Sequence, residues 1–396
     1  MSDTVMPWKD GKRHLWALAP LTALIPLVAL GLYDSFGAVW MLWIPFLFFY
    51  GLTPIVETLY GEDPTNPPRE AIPFLRDDRY YRWTAFAVVP LVYLVWIVSA
   101  WYVGSHTLHW SAYLAITISA GMTCAGALNT GHELGHRRDP VSLFMTRLLL
   151  AMSGMGHFRI EHNFGHHVRV ATPEDSATAA MGENFYEFVL HELPGGFRRA
   201  WAIETARLAR KGKSAFSFEN ELVQNTALTL GLYGLLALAF GIGVLPYLFG
   251  TALWANLMLS SANYIEHYGL MRAKRDDGRY ERVQPHHSWN SNHIVSNVML
   301  LHLQRHSDHH AHAERPYQCL RHFDTSPQLP AGYFTMYLAA WLPPVWFRVM
   351  DRRLAAQVGH DMTRAYIKPS FRDTAFRRWH RPAGETGDAG AVAPAG

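Results

Sequence analysis

The residues with the most evident chemistry in this chain are histidines, 22 of them, gathered mainly between His132 and His322. The first cluster is His132-Glu133-Leu134-Gly135-His136, the second Glu161-His162-Asn163-Phe164-Gly165-His166-His167, and the third Gln304-Arg305-His306-Ser307-Asp308-His309-His310. Residues four apart on a helix stack on one face, so two imidazoles at that spacing reach one metal ion. An adjacent pair points about 100° apart, which lets His166 and His167 serve different ions. His267, in Asn263-Tyr264-Ile265-Glu266-His267-Tyr268-Gly269, reads on its own as an interfacial residue. Counted with it, the nine imidazoles exceed the four ligands of a zinc site. They suggest two ions with four or five nitrogens each, and iron accepts that coordination more readily than zinc.

Neutral imidazoles leave the charge of such ions uncompensated. Glu133, Glu161, Glu266 and Asp308 each lie within two residues of a candidate ligand, and the work expected of them is to hydrogen-bond the far ring nitrogens and fix the tautomer, with a direct bond to an ion as the alternative. His157, His286, His287, His293, His302, His312 and His322 read as solvated, hydrogen-bonding or capping residues. The HELGH string also satisfies the HExxH pattern of a zinc protease with Glu133 as general base, but that reading leaves seven of the nine candidate ligands idle. A metal transporter would place its ionisable ligands near mid-membrane, whereas these lie at its edge. Cys124 and Cys319 are too few and too far apart for a thiolate site or a disulfide framework. A formal charge of +3, with no glycine-rich phosphate loop ahead of a helix, gives no support to nucleic-acid or nucleotide binding.

The elements that must position these histidines are membrane helices. Charged residues are 17% of the chain, against ~25% in ordinary soluble domains. The mean hydropathy of -0.03 averages long apolar runs with strongly polar stretches. Runs close to the ~20 residues that cross a bilayer occupy 15–33, 39–59, 83–103, 110–131, 224–243 and 247–267. They pair into three hairpins with turns around Asp34, at Gly104–His109 and at Gly241–Pro246. No lysine or arginine occurs between Arg13 and Arg69, Arg82 and Arg137, or Lys213 and Arg272. All 35 basic residues are thus placed on one side, cytoplasmic by the positive-inside rule.

The fold expected is an all-α membrane protein with six transmembrane helices in three hairpins and a helical cytoplasmic cap, 132–222 and 268–381, that holds the metal site. Residues 1–381 form one catalytic domain, with no cleaved signal peptide, and 382–396 a disordered tail or linker. Phe144–Met155 and Tyr333–Met350 are short or broken, and suit surface or re-entrant helices. Below His132, the stripe Leu128, Ala125 and Gly121 shrinks with depth, which suits either a substrate channel or close helix packing.

These strings resemble the integral-membrane non-haem di-iron alkane 1-monooxygenase family. The matches are HELGHR at His132–Arg137, EHNFGHH at Glu161–His167, NYIEHYGLMR at Asn263–Arg272, and LQRHSDHHAHAERPYQCL at Leu303–Leu320, followed by LPAGY at Leu329–Tyr333. The three-box histidine pattern alone is shared with fatty-acid desaturases and hydroxylases; the string around His267 and the extended third box are narrower and also resemble xylene monooxygenases. The resemblance implies that His132, His136, His162, His166, His167, His267, His306, His309 and His310 bind two irons. It further implies terminal hydroxylation of medium- to long-chain n-alkanes with dioxygen, and electrons from rubredoxin supplied by a rubredoxin reductase. The expected setting is the bacterial inner membrane, with both termini and the metal site cytoplasmic. A basic surface that includes Arg198, Arg199, Arg207, Arg210, Lys211 and Lys213 suits an acidic electron donor or anionic lipid headgroups.

Overall fold

The structure, a computed structural model, describes residues 8–381; the expected tail at 382–396 lies outside them. Helices and irregular loops account for the described residues, with isolated bridges in place of any β-strand. The chain begins with α1 (Arg13–Thr22), which meets α2 (Ile25–Phe36) at a 48° bend, so the expected first span is broken. Pro20 and Pro26 flank the break, and a proline removes the N–H that would continue the helical ladder across it. The turn expected at Asp34 falls at Gly37, whose φ of 70° reverses the chain.

α3 (Val39–Tyr60) is long and apolar enough to cross a membrane, as are α4 (Arg79–Ser105) and α5 (Trp110–Gly135). Next come the short apolar α6 (Pro140–Ala151), which packs on α5, and α7, residues 158–169, which carries the second histidine cluster. α8 (Phe185–Ala209) opens on a capping box between Asn184 and Glu187. α9 (Glu221–Phe240) and α10 (Ile242–His267) complete the long apolar set, making five such helices, or six if α1 and α2 count as one. α11 (Ile294–Met299) leads to α12 (His306–Ala311), and α13 (Tyr333–Trp341) and α14 (Pro343–Gln357) follow.

The pair that decides the site is α5 against α10. A Cβ on Gly121 would come within 2.7 Å of Trp254 Cβ, and one on Gly250 within 2.6 Å of Thr117 Cγ2. The two helices approach this closely because each offers a bare backbone where the other is bulky. Two clusters of buried apolar side chains fill the bundle. One holds Trp16, Trp96 and Cys124; the other holds Tyr50, Tyr264 and Trp346 and binds α13 and α14 to α10.

Candidate metal centre

α5 and α10 end at the same level. His132 lies in the last turn of α5 with His136 as its cap, and His267 is the last residue of α10. α7 and α12 close over these ends. A π-turn at His162–His166 widens α7 at the second cluster. Regular α-helical spacing would stack His162 and His166 on one face; in the widened turn they enter different groups. His132, His136, His162 and His309 form one foursome and His166, His267, His306 and His310 another, each with ligand-type nitrogens within 4.8 Å of one another. His167 stands beside the first, its Nε2 2.9 Å from that of His162 and 3.1 Å from that of His309.

In the first group His132 Nε2 is 2.9 Å, and His162 Nε2 3.4 Å, from His309 Nε2. In the second, His306 Nε2 is 3.1 Å from His267 Nε2 and 2.8 Å from His310 Nε2. Metal–nitrogen bonds of about 2.0–2.1 Å imply ligand separations of about 2.9 Å at right angles and about 3.4 Å at tetrahedral angles. The observed spacings fall in that range. Burial, then the neighbouring rings, hold His162, His306, His309 and His310 well below the ordinary histidine range, so their imidazoles are neutral. One hydrogen between two neutral rings satisfies a single pair, whereas four lone pairs turned on one point need a cation. His136 Nε2 and His166 Nε2, buried with no hydrogen-bond partner among the described residues, fit the same reading.

The acidic residues divide. Glu266 Oε2 lies 3.2 Å from His306 Nε2, while Oε1 accepts from the Tyr333 hydroxyl at 2.8 Å. Glu133 faces away from the rings and accepts from Arg137 at 3.4 Å and the Tyr317 amide at 3.3 Å. That geometry also leaves Glu133 badly placed as the general base of a protease. Asp308 binds His312, Arg315 and the Arg321 amide, so it secures the chain after α12. Glu161 accepts from Arg199 at 2.9 Å, and burial, offset in part by His166, pushes its carboxyl up to about 7. The carboxylate that does meet a far ring nitrogen is Asp175, with Oδ2 2.9 Å from His166 Nδ1. Its spacing gives no signal in the sequence, because a reversal at Ala171 (φ 57°) brings it back.

The remaining histidines have local work. His302 bonds the Tyr317 carbonyl at 2.9 Å, His322 meets Asn292 at 3.1 Å, and His293 meets Ser291 at 2.9 Å. Glu281, His286 and His287 form a third, more exposed group. There His287 Nδ1 accepts from the Gln284 amide at 2.9 Å, so the neutral ring carries its hydrogen on Nε2, toward Glu281, and has no lone pair there for a metal.

A cavity with about 1100 Å³ of space, part of it open to solvent, runs through the bundle and reaches members of both foursomes. Ala19 and Ala23 line it from α1 and the bend after it, Tyr50 from α3, Met122, Ala125 and Gly126 from α5, Met258 and Ala262 from α10, and Phe334 from α13. His132, His162, His306 and Glu266 also line it. Of the expected channel stripe only Ala125 reaches it. Gly121 is turned to Trp254 and Leu128 is packed in the core. The lining face of α5 runs instead through Met122, Ala125, Gly126 and Asn129, about one residue's rotation from the expected stripe.

A helical membrane protein with two histidine foursomes where its spanning helices end is a histidine-box metalloprotein. The family model described as fatty acid desaturase matches residues 108–340. The chain is 45% identical to an alkane 1-monooxygenase of Ectopseudomonas oleovorans, across 99% of this chain and 98% of that protein. It is 47% identical to alkane 1-monooxygenase 1 of Alcanivorax borkumensis, across 92% and 90%, and 30% identical to a xylene/toluene monooxygenase hydroxylase component of Pseudomonas putida, across 63% and 65%. The chain belongs to the fatty acid desaturase family and, within it, to the alkane 1-monooxygenases.

Proposed function

We propose that this chain is a di-iron alkane 1-monooxygenase of the bacterial inner membrane that converts medium- and long-chain n-alkanes to 1-alkanols, with dioxygen as co-substrate and electrons from rubredoxin, itself served by a rubredoxin reductase. The observation that carries the reading is the apolar cavity that ends on His132, His162, His306 and Glu266. An alkane has no polar handle, so its recognition must be summed from burial, at roughly 0.8 kcal/mol for each CH2 removed from water. Met122, Ala125, Met258, Ala262 and Phe334 supply such a surface and exclude water from the end where the terminal methyl would lie.

The nine histidines are the proposed ligands, and bound iron would supply reductive activation of dioxygen and transfer of one oxygen atom to the methyl carbon. Glu266 places a carboxyl group between the cavity and His306, and the hydroxyl of Tyr333 fixes its direction. Six crossings, with α1 and α2 as one broken span, would put both termini and the metal on the cytoplasmic side, in keeping with the distribution of lysine and arginine. There Arg198, Arg210 and Lys211 are exposed for an acidic donor. Arg199, Arg207 and Lys213 are held by Asp175, Glu204 and Glu219.

The test is turnover of dodecane by membranes supplied with rubredoxin, its reductase and a reductant, with metal analysis of the purified chain. Iron in the protein and 1-dodecanol as product are expected. Zinc without iron would sink the oxygenase, an alkene from an acyl substrate would make it a desaturase, and preference for a xylene methyl group would move it to the aromatic branch.

A further inference from the structure

After α7 the chain folds back to present one carboxylate. Ala171 takes a left-handed φ of 57°, a conformation that residues with a side chain rarely adopt. Its amide donates to Thr178 Oγ1 at 3.0 Å, which closes the loop. Asp175, buried in that loop, accepts from Thr178 Oγ1 at 2.8 Å and from Arg199 Nη1 at 2.8 Å, and its Oδ2 lies 2.9 Å from His166 Nδ1. Arg199 reaches it by passing over Gly165, where a Cβ would stand 2.6 Å from the arginine Cδ.

An ionised carboxylate only accepts, so His166 carries a hydrogen on Nδ1, and the atom this ring can turn to a metal is Nε2. His166 Nε2 is buried within the second foursome with no hydrogen-bond partner among the described residues. The other three members, His267, His306 and His310, have Nδ1 buried and without a partner among those residues. Among the described residues, His166 is the one of the nine candidate ligands whose Nδ1 meets a carboxylate.

We propose that Asp175 is a positioning residue for one of the two metal sites: through Nδ1 it fixes the tautomer and direction of His166, and so retains the ion held by His166, His267, His306 and His310. This rests on the reading of both foursomes as iron sites. Losing such a partner weakens metal binding about 10- to 100-fold, which would empty the second site while the first stays filled.

The experiment is iron content and Mössbauer spectra of the purified full-length chain loaded with iron-57. The wild type is expected to show two iron environments. Asp175→Ala should lose about half of the iron and one environment, the one that His306→Ala also removes. Asp175→Asn, which keeps the shape and an acceptor oxygen but not the charge, should keep both irons and shift that environment alone. Thr178→Ala, which removes one hydrogen bond to Asp175 but spares the contact to His166, should lose much less iron than Asp175→Ala. Two unchanged environments in both Asp175 variants, or equal iron loss in Thr178→Ala and Asp175→Ala, would overturn the proposal. A wild-type chain free of iron would instead overturn the di-iron reading beneath it.

Discussion

His309 and His306 lie three residues apart on α12, yet one belongs to each foursome. A ligand replaced by alanine leaves neutral neighbours whose lone pairs face a partly empty site, so the affected ion should be lost first. His162→Ala and His309→Ala are expected to lose iron from the first group, and His267→Ala from the second, each with turnover reduced at least about 100-fold if both ions are required. His322→Ala, which removes a contact to Asn292 and a near-surface pair with Asp324, should keep both iron and activity. Iron per chain and 1-dodecanol formed, measured on the same preparations, check the contrast. Full iron and turnover in His267→Ala would reduce the ligand count to eight. A subtler effect is expected at Tyr333. Tyr333→Phe removes a hydrogen bond worth about 0.5–1.5 kcal/mol and frees Glu266 to turn, so turnover should fall while iron stays bound.

Among the elements, the approach of α5 to α10 sets the distance between His132 and His267. Gly121→Leu would drive a branched side chain into Trp254, where even a Cβ is too close. A shift of the helices or a strained rotamer costs about 1–3 kcal/mol. The expected result is a lower unfolding temperature and weaker iron retention, although no ligand has been touched; unchanged values of both would mean that the helices already stand further apart. Much of this scaffold could be read from the sequence, because the lengths and apolar character of α3, α4, α5, α9 and α10 are local properties. The bend between α1 and α2 was less legible, since Pro20 and Pro26 lie in an apolar run that satisfies the length of a span. The π-turn was not legible at all, because one widened turn leaves the spacing of His162, His166 and His167 unchanged while it redirects the rings. Asp175 escaped for a related reason: its neighbourhood is made by a loop reversal.

For the whole molecule, the cavity joins the bundle to the metal centre, and its far part should set which chains are accepted. Gly126 lines it, and a Cβ added there meets nothing within 4 Å, so Gly126→Phe would project into open space without disturbing helix packing. Six residues of helix separate Gly126 from His132, about 9 Å along the axis. A short alkane can lie between them, whereas a longer one must pass the new ring. Turnover of octane should therefore survive while that of hexadecane falls about tenfold or more, with iron content unchanged. Equal losses for both would place the path elsewhere.

Electron delivery is also a property of the whole molecule, because it depends on the surface left after the internal ion pairs are counted. With Arg199, Arg207 and Lys213 engaged by carboxylates, the exposed Arg198, Arg210 and Lys211 dominate that part of the surface. Attraction to an acidic donor across water acts on the encounter rate and is screened over about 8–10 Å at 0.1–0.15 M salt. Raising the salt should therefore increase the KM for rubredoxin and leave kcat at saturating donor unchanged. Arg210→Glu with Lys211→Glu should raise KM at low salt by about tenfold and flatten its salt dependence. If these groups met lipid headgroups instead, the double variant would change membrane retention and leave the rubredoxin KM where it was. Steady-state kinetics at several ionic strengths, with a membrane-pelleting control, separate the two roles.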